Sequence, residues 1–86
     1  MSQENQIFQT QDLNLSAVLI AKGFILESVL KNFTGKSTFC FSQDETITEV
    51  IQQYWNNKLL INPQELFNAL KLLKNRIYSD YQNYGK

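Results

Sequence analysis

Asn62-Pro63-Gln64-Glu65-Leu66-Phe67-Asn68-Ala69-Leu70-Lys71-Leu72-Leu73-Lys74-Asn75-Arg76-Ile77-Tyr78 is the longest periodic stretch of the chain. Asn62 occupies an N-cap position, Pro63 the first helical position and Glu65 the third, the order that helix starts favour. At ~100° per residue, Leu66, Ala69, Leu70, Leu73 and Ile77 fall within an arc of ~100°. That arc has to face a core. The remainder of the chain must supply the surface it packs on, and the helix is expected to fray near Tyr81 to Lys86.

Upstream, Ser42-Gln43-Asp44-Glu45 has the spacing of a capping box. It predicts a second helix running to about Asn57, with Ile47, Val50, Ile51 and Tyr54 on one stripe and Trp55 at its edge. Lys58-Leu59-Leu60-Ile61 reads as a short apolar link or brief strand. Before the capping box, Ser37 to Ser42 alternates cleanly, Phe39 and Phe41 to one side, Thr38 and Cys40 to the other. Phe24 to Lys31 reads as its hairpin partner, joined through Asn32-Phe33-Thr34-Gly35-Lys36 with Gly35 as the residue able to take a positive φ.

Ile7-Phe8-Gln9-Thr10 is a further short strand. Asp12 then caps a helix over Leu13 to Lys22, with Gly23 as its stop. Leu13, Ala17, Ile20 and Ala21 share one face of that helix, while Leu15, Val18 and Leu19 lie on the other. A helix apolar nearly all round needs covering twice, by another helix or by a second subunit. Residues 1–6 form a polar tail. Residues 7–86 form one α+β domain, a small antiparallel sheet of about three strands with three α-helices on one face.

An 86-residue chain makes one domain and buries roughly 60–65% of the surface that its unfolded form exposes. Hydrophobic content of 43% against 19% charged residues suits a globular protein, not a disordered one. Eight basic and eight acidic side chains cancel, leaving no global field to draw the chain onto nucleic acid or membrane. The longest apolar run, Ala17 to Ala21, is too short to cross a bilayer. With no signal segment and one cysteine, a reducing cytoplasmic compartment is expected. On that ground the glycosylation spacings at Asn14 and Asn32 are set aside.

Chemistry is scarce. The absence of histidine removes the commonest general base and most zinc sites. The glycines at 23, 35 and 85 stand apart, so no phosphate-cradling loop exists. Asp44, Glu45 and Glu49 gather at the start of the second helix, where acidic groups favour the macrodipole rather than a metal. Cys40, opposite the Phe39 and Phe41 rings, is expected to be half exposed and inert, with no basic neighbour to lower its pKa. No enzyme, cofactor, metal or small-molecule substrate is expected.

Two surfaces are left. Lys71, Lys74, Tyr78 and Tyr81 fall within ~80° of one another on the last helix, beside the apolar arc. Lys36, Lys58 and Arg76 can extend that edge. Lysines there suit phosphates and tyrosines suit unpaired bases; equally, the lysine stems and tyrosine rings can rim the core. The second surface is Leu15, Val18 and Leu19 on the first helix, either a self-association seam or a face that the last helix covers.

Phe8-x-Thr10-x-Asp12-Leu13 with Leu15, Lys22-Gly23, Gly35-Lys36 with Phe39-x-Phe41, Tyr54-Trp55-Asn56, and Pro63-x-x-Leu66-Phe67-x-Ala69-Leu70 with Leu73-Lys74 and Ile77-Tyr78 follow one another in order. In that order and spacing, over residues 7–78, the chain resembles a family of small uncharacterised proteins from bacteria and their phages. The resemblance implies the α+β architecture and carries over no catalytic residue. Its phage and mobile-element settings favour, by association, a role linked to DNA or RNA. The expected function is a non-enzymatic interaction module that binds itself or another protein; a nucleic-acid-binding accessory role is the second expectation.

Overall fold

Asp12 both ends the first strand and starts the first helix. The computed structural model describes residues 7–43 and 45–84, with side chains as far as Ser79. Strand β1 is Ile7–Thr10 and helix α1 is Leu13–Ala21. Asp12 is extended at φ −82° and ψ 110°, so its Oδ1 can accept the Leu15 N–H at 3.1 Å. Its own N–H donates to Thr10 Oγ1 at 3.1 Å, which fixes the tight link between strand and helix.

The C-terminus of α1 is a Schellman motif. Gly23 N–H donates to the Ile20 carbonyl at 2.9 Å and Phe24 N–H to the Leu19 carbonyl at 3.0 Å. Gly23 sits at φ 100°, which L side chains avoid. A Cβ there would meet nothing within 4 Å, so any penalty is one of backbone conformation alone. Gly23→Ala is therefore expected to cost about 1–2 kcal/mol in urea unfolding; a variant as stable as the parent would contradict this.

Strands β2, Leu26–Lys31, and β3, Ser37–Ser42, form the hairpin. Its loop is held by Asn32, whose Oδ1 accepts from Thr34 N–H, the Thr34 hydroxyl and Lys36 N–H. Gly35 turns the chain at φ 90°. The sequence places the start of the strand at Phe24, two residues too early. The Phe24 N–H is already spent on the end of α1, so the chain joins the sheet only at Leu26.

The sheet order is β1-β3-β2, antiparallel throughout. Across it, Phe8, Phe41 and Leu26 lie in register, as do Thr10, Phe39 and Val29. These rows make the helix-bearing face. Phe39 and Phe41 are buried with Leu15, Ala17 and Leu19 of α1, Ile47 of α2 (Glu45–Trp55), and Ala69 and Leu73 of α3 (Pro63–Tyr84). All three helices thus pack on the phenylalanine face. The shortest dimension of the molecule, 19 Å, fits one sheet beneath one layer of helices.

The expected capping box does not form. Ser42 remains in β3, paired with Ile7, where its hydroxyl donates to the Glu27 carboxylate. Helix α2 starts at Glu45, which lies in its first turn. It ends in a second Schellman motif, Asn57 N–H to Tyr54 carbonyl at 3.2 Å and Lys58 N–H to Gln53 carbonyl at 2.9 Å. Asn57 takes φ 61° there, a conformation asparagine tolerates better than most residues. Residues 58–62 are not a strand: Leu60 is 86% exposed between half-buried Leu59 and Ile61. Helix α3 starts as its sequence predicts, with Asn62 Oδ1 accepting from Gln64 and Glu65 N–H. The tail at residues 1–6 lies outside the described residues.

Candidate functional site

Helix α3 packs against α1 along Leu66, Ala69, Leu70, Leu73 and Ile77, each half-buried or buried. The flank beside that arc is open. Lys71 and Lys74 are exposed and Tyr78 is 64% exposed, so the helix does bring these three onto one outward sector. Phe67, four residues before Lys71, belongs to the same sector and is 63% exposed. Sequence reading passes over it, because a phenylalanine in an amphipathic helix reads as core. The available signal is its angle, ~60° beyond the near edge of the apolar arc at ~100° per residue.

Phe67, Lys71, Lys74 and Tyr78 follow the i, i+4, i+7, i+11 spacing of one helix face and span ~16 Å of its axis at ~1.5 Å per residue. Two ammonium groups stand between two aromatic rings. Glu65, the acidic residue in the first turn of the helix, points ~120–180° away from both lysines at that same angular step. The sector therefore has a positive, ring-bearing character that the neutral chain as a whole lacks.

The other sequence-predicted contacts lie elsewhere. Arg76 is exposed on α3 but ~140–160° round from the lysines. Lys36 is exposed in the β2–β3 loop, and Lys58 is exposed just after α2. The Tyr81 side chain lies outside the described residues. Trp55, at the edge of the α2 stripe, is 62% exposed and meets Tyr54 edge-on, ring centroids 5.0 Å apart at 74°.

Leu15, Val18 and Leu19 are not a surface. They are 2%, 5% and 0% exposed, deeper than Leu13, Ile20 and Ala21 on the other side of α1, where Ala17 alone is as deeply buried. Helix α1 is the centre of the helical layer, with α3 and α2 against it and the sheet below. A self-association seam built of those three side chains is thereby corrected: the fold consumes them internally.

Cys40 does face away from the phenylalanine rings, but it is 3% exposed, not half exposed. It sits on the central strand between Gln9 of β1 and Ser28 of β2, and Gln9 Nε2 lies 3.6 Å from its Sγ. Flanking strands cover a small side chain even on an open sheet face. Of the acidic group, Glu45 and Glu49 are exposed on α2, and Asp44 lies outside the described residues. Among the described residues no three histidine, cysteine or carboxylate side chains come together as a metal site. No helix there is long and apolar enough to cross a membrane.

Among the described residues, Tyr54 is the titratable group whose surroundings oppose its ionisation. Burial, then the nearby Asp12 carboxylate, raises its phenol above the ordinary value of 10.0. The neutral phenol is the favoured form, so its contribution to stability is complete below that ordinary value and is lost as the pH climbs past it. At neutral pH it acts as a packed ring and not as a base.

Neither the curated proteins nor the solved structures include a match to this chain. A domain family, by contrast, matches residues 5–79, from before β1 to the last turns of α3. The matched span contains the whole sheet, α1, α2 and the Phe67–Tyr78 sector, and on that coverage the chain belongs to DUF5659, a domain of unknown function.

Proposed function

We propose that this domain works by contact and not by turnover, and that its working surface is the Phe67–Lys71–Lys74–Tyr78 sector of α3. The partner that fits is a flexible anionic chain with planar groups, a single strand of nucleic acid. The carrying observation is that all four side chains are exposed on one helix face with no acidic residue among them. Lysines at i and i+3 can meet neighbouring phosphates, and each flanking ring offers a face on which an unpaired base stacks. Duplex DNA uses the rings poorly, since its bases are already stacked.

The chain's own groups favour this reading over catalysis. It has no histidine, and its one cysteine is buried. An origin in bacteria or their phages and a reducing cytoplasmic setting belong to the same proposal.

The test is oligo-dT binding by fluorescence anisotropy across a salt series. Two phosphate contacts give a slope of log K against log salt of about −1.4 for a single strand. Lys71→Glu with Lys74→Glu is expected to abolish that slope and weaken binding at least tenfold. Phe67→Ala with Tyr78→Ala should cost about 1–3 kcal/mol per stacked base while leaving the slope unchanged. Absence of salt-dependent binding at low ionic strength would end the proposal.

A further inference from the structure

Among the described residues the sheet has two open edges, β1 and β2, and they are built differently. On β2 the register with β3 shifts between Leu26 and Ser28, leaving Glu27 as a bulged residue, and the strand ends in Lys31. A bulge and charged residues are the devices by which edge strands resist pairing with other chains. On β1 the register with β3 is unbroken over all four residues, Ile7↔Ser42 to Thr10↔Phe39. Its sequence, Ile-Phe-Gln-Thr, contains no charge, proline or bulge. The β2 edge is blunted by its bulge and charges, whereas β1 is protected only by its shortness.

From that asymmetry we infer that β1 is a self-pairing edge, adding antiparallel to β1 of a second copy so that two three-stranded sheets become one of six strands. This goes beyond the α3 reading and does not depend on it. The occupant follows from β1 itself. A two-fold axis through Phe8 or Gln9 sets the half-buried Phe8 beside Phe8 or Thr10 of the other copy, on the face that both helical layers share. The same axis sets Gln9 beside Gln9 or Ile7 on the open face, amide or apolar group with no like charges opposed. The Leu26–Phe41–Phe8 row of each sheet then runs on into the other. A four-residue edge buries less than the ~1,200 Å² of a standard interface, so the dimer is weak and depends on concentration.

Sedimentation equilibrium over a wide concentration range tests this on the full chain. The mass should rise towards twice 10.0 kDa. Ile7→Lys with Gln9→Lys places four cations about the axis and should hold the chain at monomer mass at every concentration. Both positions are exposed, so circular dichroism should be unchanged. Leu30→Lys, on the exposed open face of β2, should dimerise like the parent. A parent that stays monomeric overturns the inference. So does a dimer that survives the β1 pair of substitutions, or one that Leu30→Lys dissolves, which would place the contact on the sheet face or on β2.

Discussion

Leu19→Asp is expected to unfold the chain, not to release a partner. Leu19 is fully buried, and its carbonyl also accepts the Phe24 N–H that closes α1. Removing the leucine side chain alone costs about 2–5 kcal/mol. An uncompensated carboxylate in its place adds the desolvation of a charge. A domain of this length has roughly 4–13 kcal/mol of total stability, at about 0.05–0.15 kcal/mol per residue. The sum consumes most or all of it. Burial pushes the introduced carboxyl above its ordinary pKa of about 3.9, so the charge penalty is absent below that value and grows as the pH rises through the shifted one. Leu19→Asp should consequently recover part of its loss in mild acid relative to Leu19→Asn, which has nothing to titrate. Leu72→Asp, at a position 52% exposed, should move stability by no more than about 0.5 kcal/mol. A Leu19→Asp protein with parental helicity and melting temperature would show that α1 is not the centre of the core.

That contrast marks where the sequence stops being legible. Asp12, Gly23, Gly35, Asn62 and Pro63 act locally, through their own φ or a side-chain bond to a near N–H. The helices and hairpin they delimit could be read in advance. Leu15, Val18 and Leu19 could not be ranked against Leu13, Ala17, Ile20 and Ala21, because an all-round apolar helix gives no internal sign of which side its neighbours cover. Ser42 misled for a related reason. Its spacing to Glu45 suits a capping box, but the ladder partner Ile7, thirty-five residues upstream in sequence, keeps it in the strand. Phe24 was claimed by a C-terminal helix motif before a strand could use it. At the candidate site, Lys71, Lys74 and Tyr78 were legible from helical angle alone. Phe67 was not, since its type says core while its angle says surface, and here the angle decides.

Phe41→Ala is the substitution that measures how far the two layers depend on each other. Phe41 lies on the central strand, fully buried, with Phe8 and Leu26 in register on either side and the helices above. Truncating a buried phenylalanine costs about 3–5 kcal/mol, a transfer loss plus a cavity that the surroundings only partly fill. For a domain of this size that is a fall in melting temperature of at least about 12 °C, at roughly 4–8 °C per kcal/mol. The cavity would open where sheet and helices meet, so neither layer can close it without breaking the three-strand register. Phe41→Leu keeps most of the volume and should cost no more than about 1.5 kcal/mol. Phe33→Ala, fully exposed in the hairpin loop, and Phe67→Ala on α3 should each stay within about 0.5 kcal/mol. Urea unfolding of the four variants, with the dependence on denaturant unchanged, separates these effects. If Phe67→Ala proved as damaging as Phe41→Ala, Phe67 would be a packing residue, and the α3 sector would lose one of the two rings that its proposed role requires.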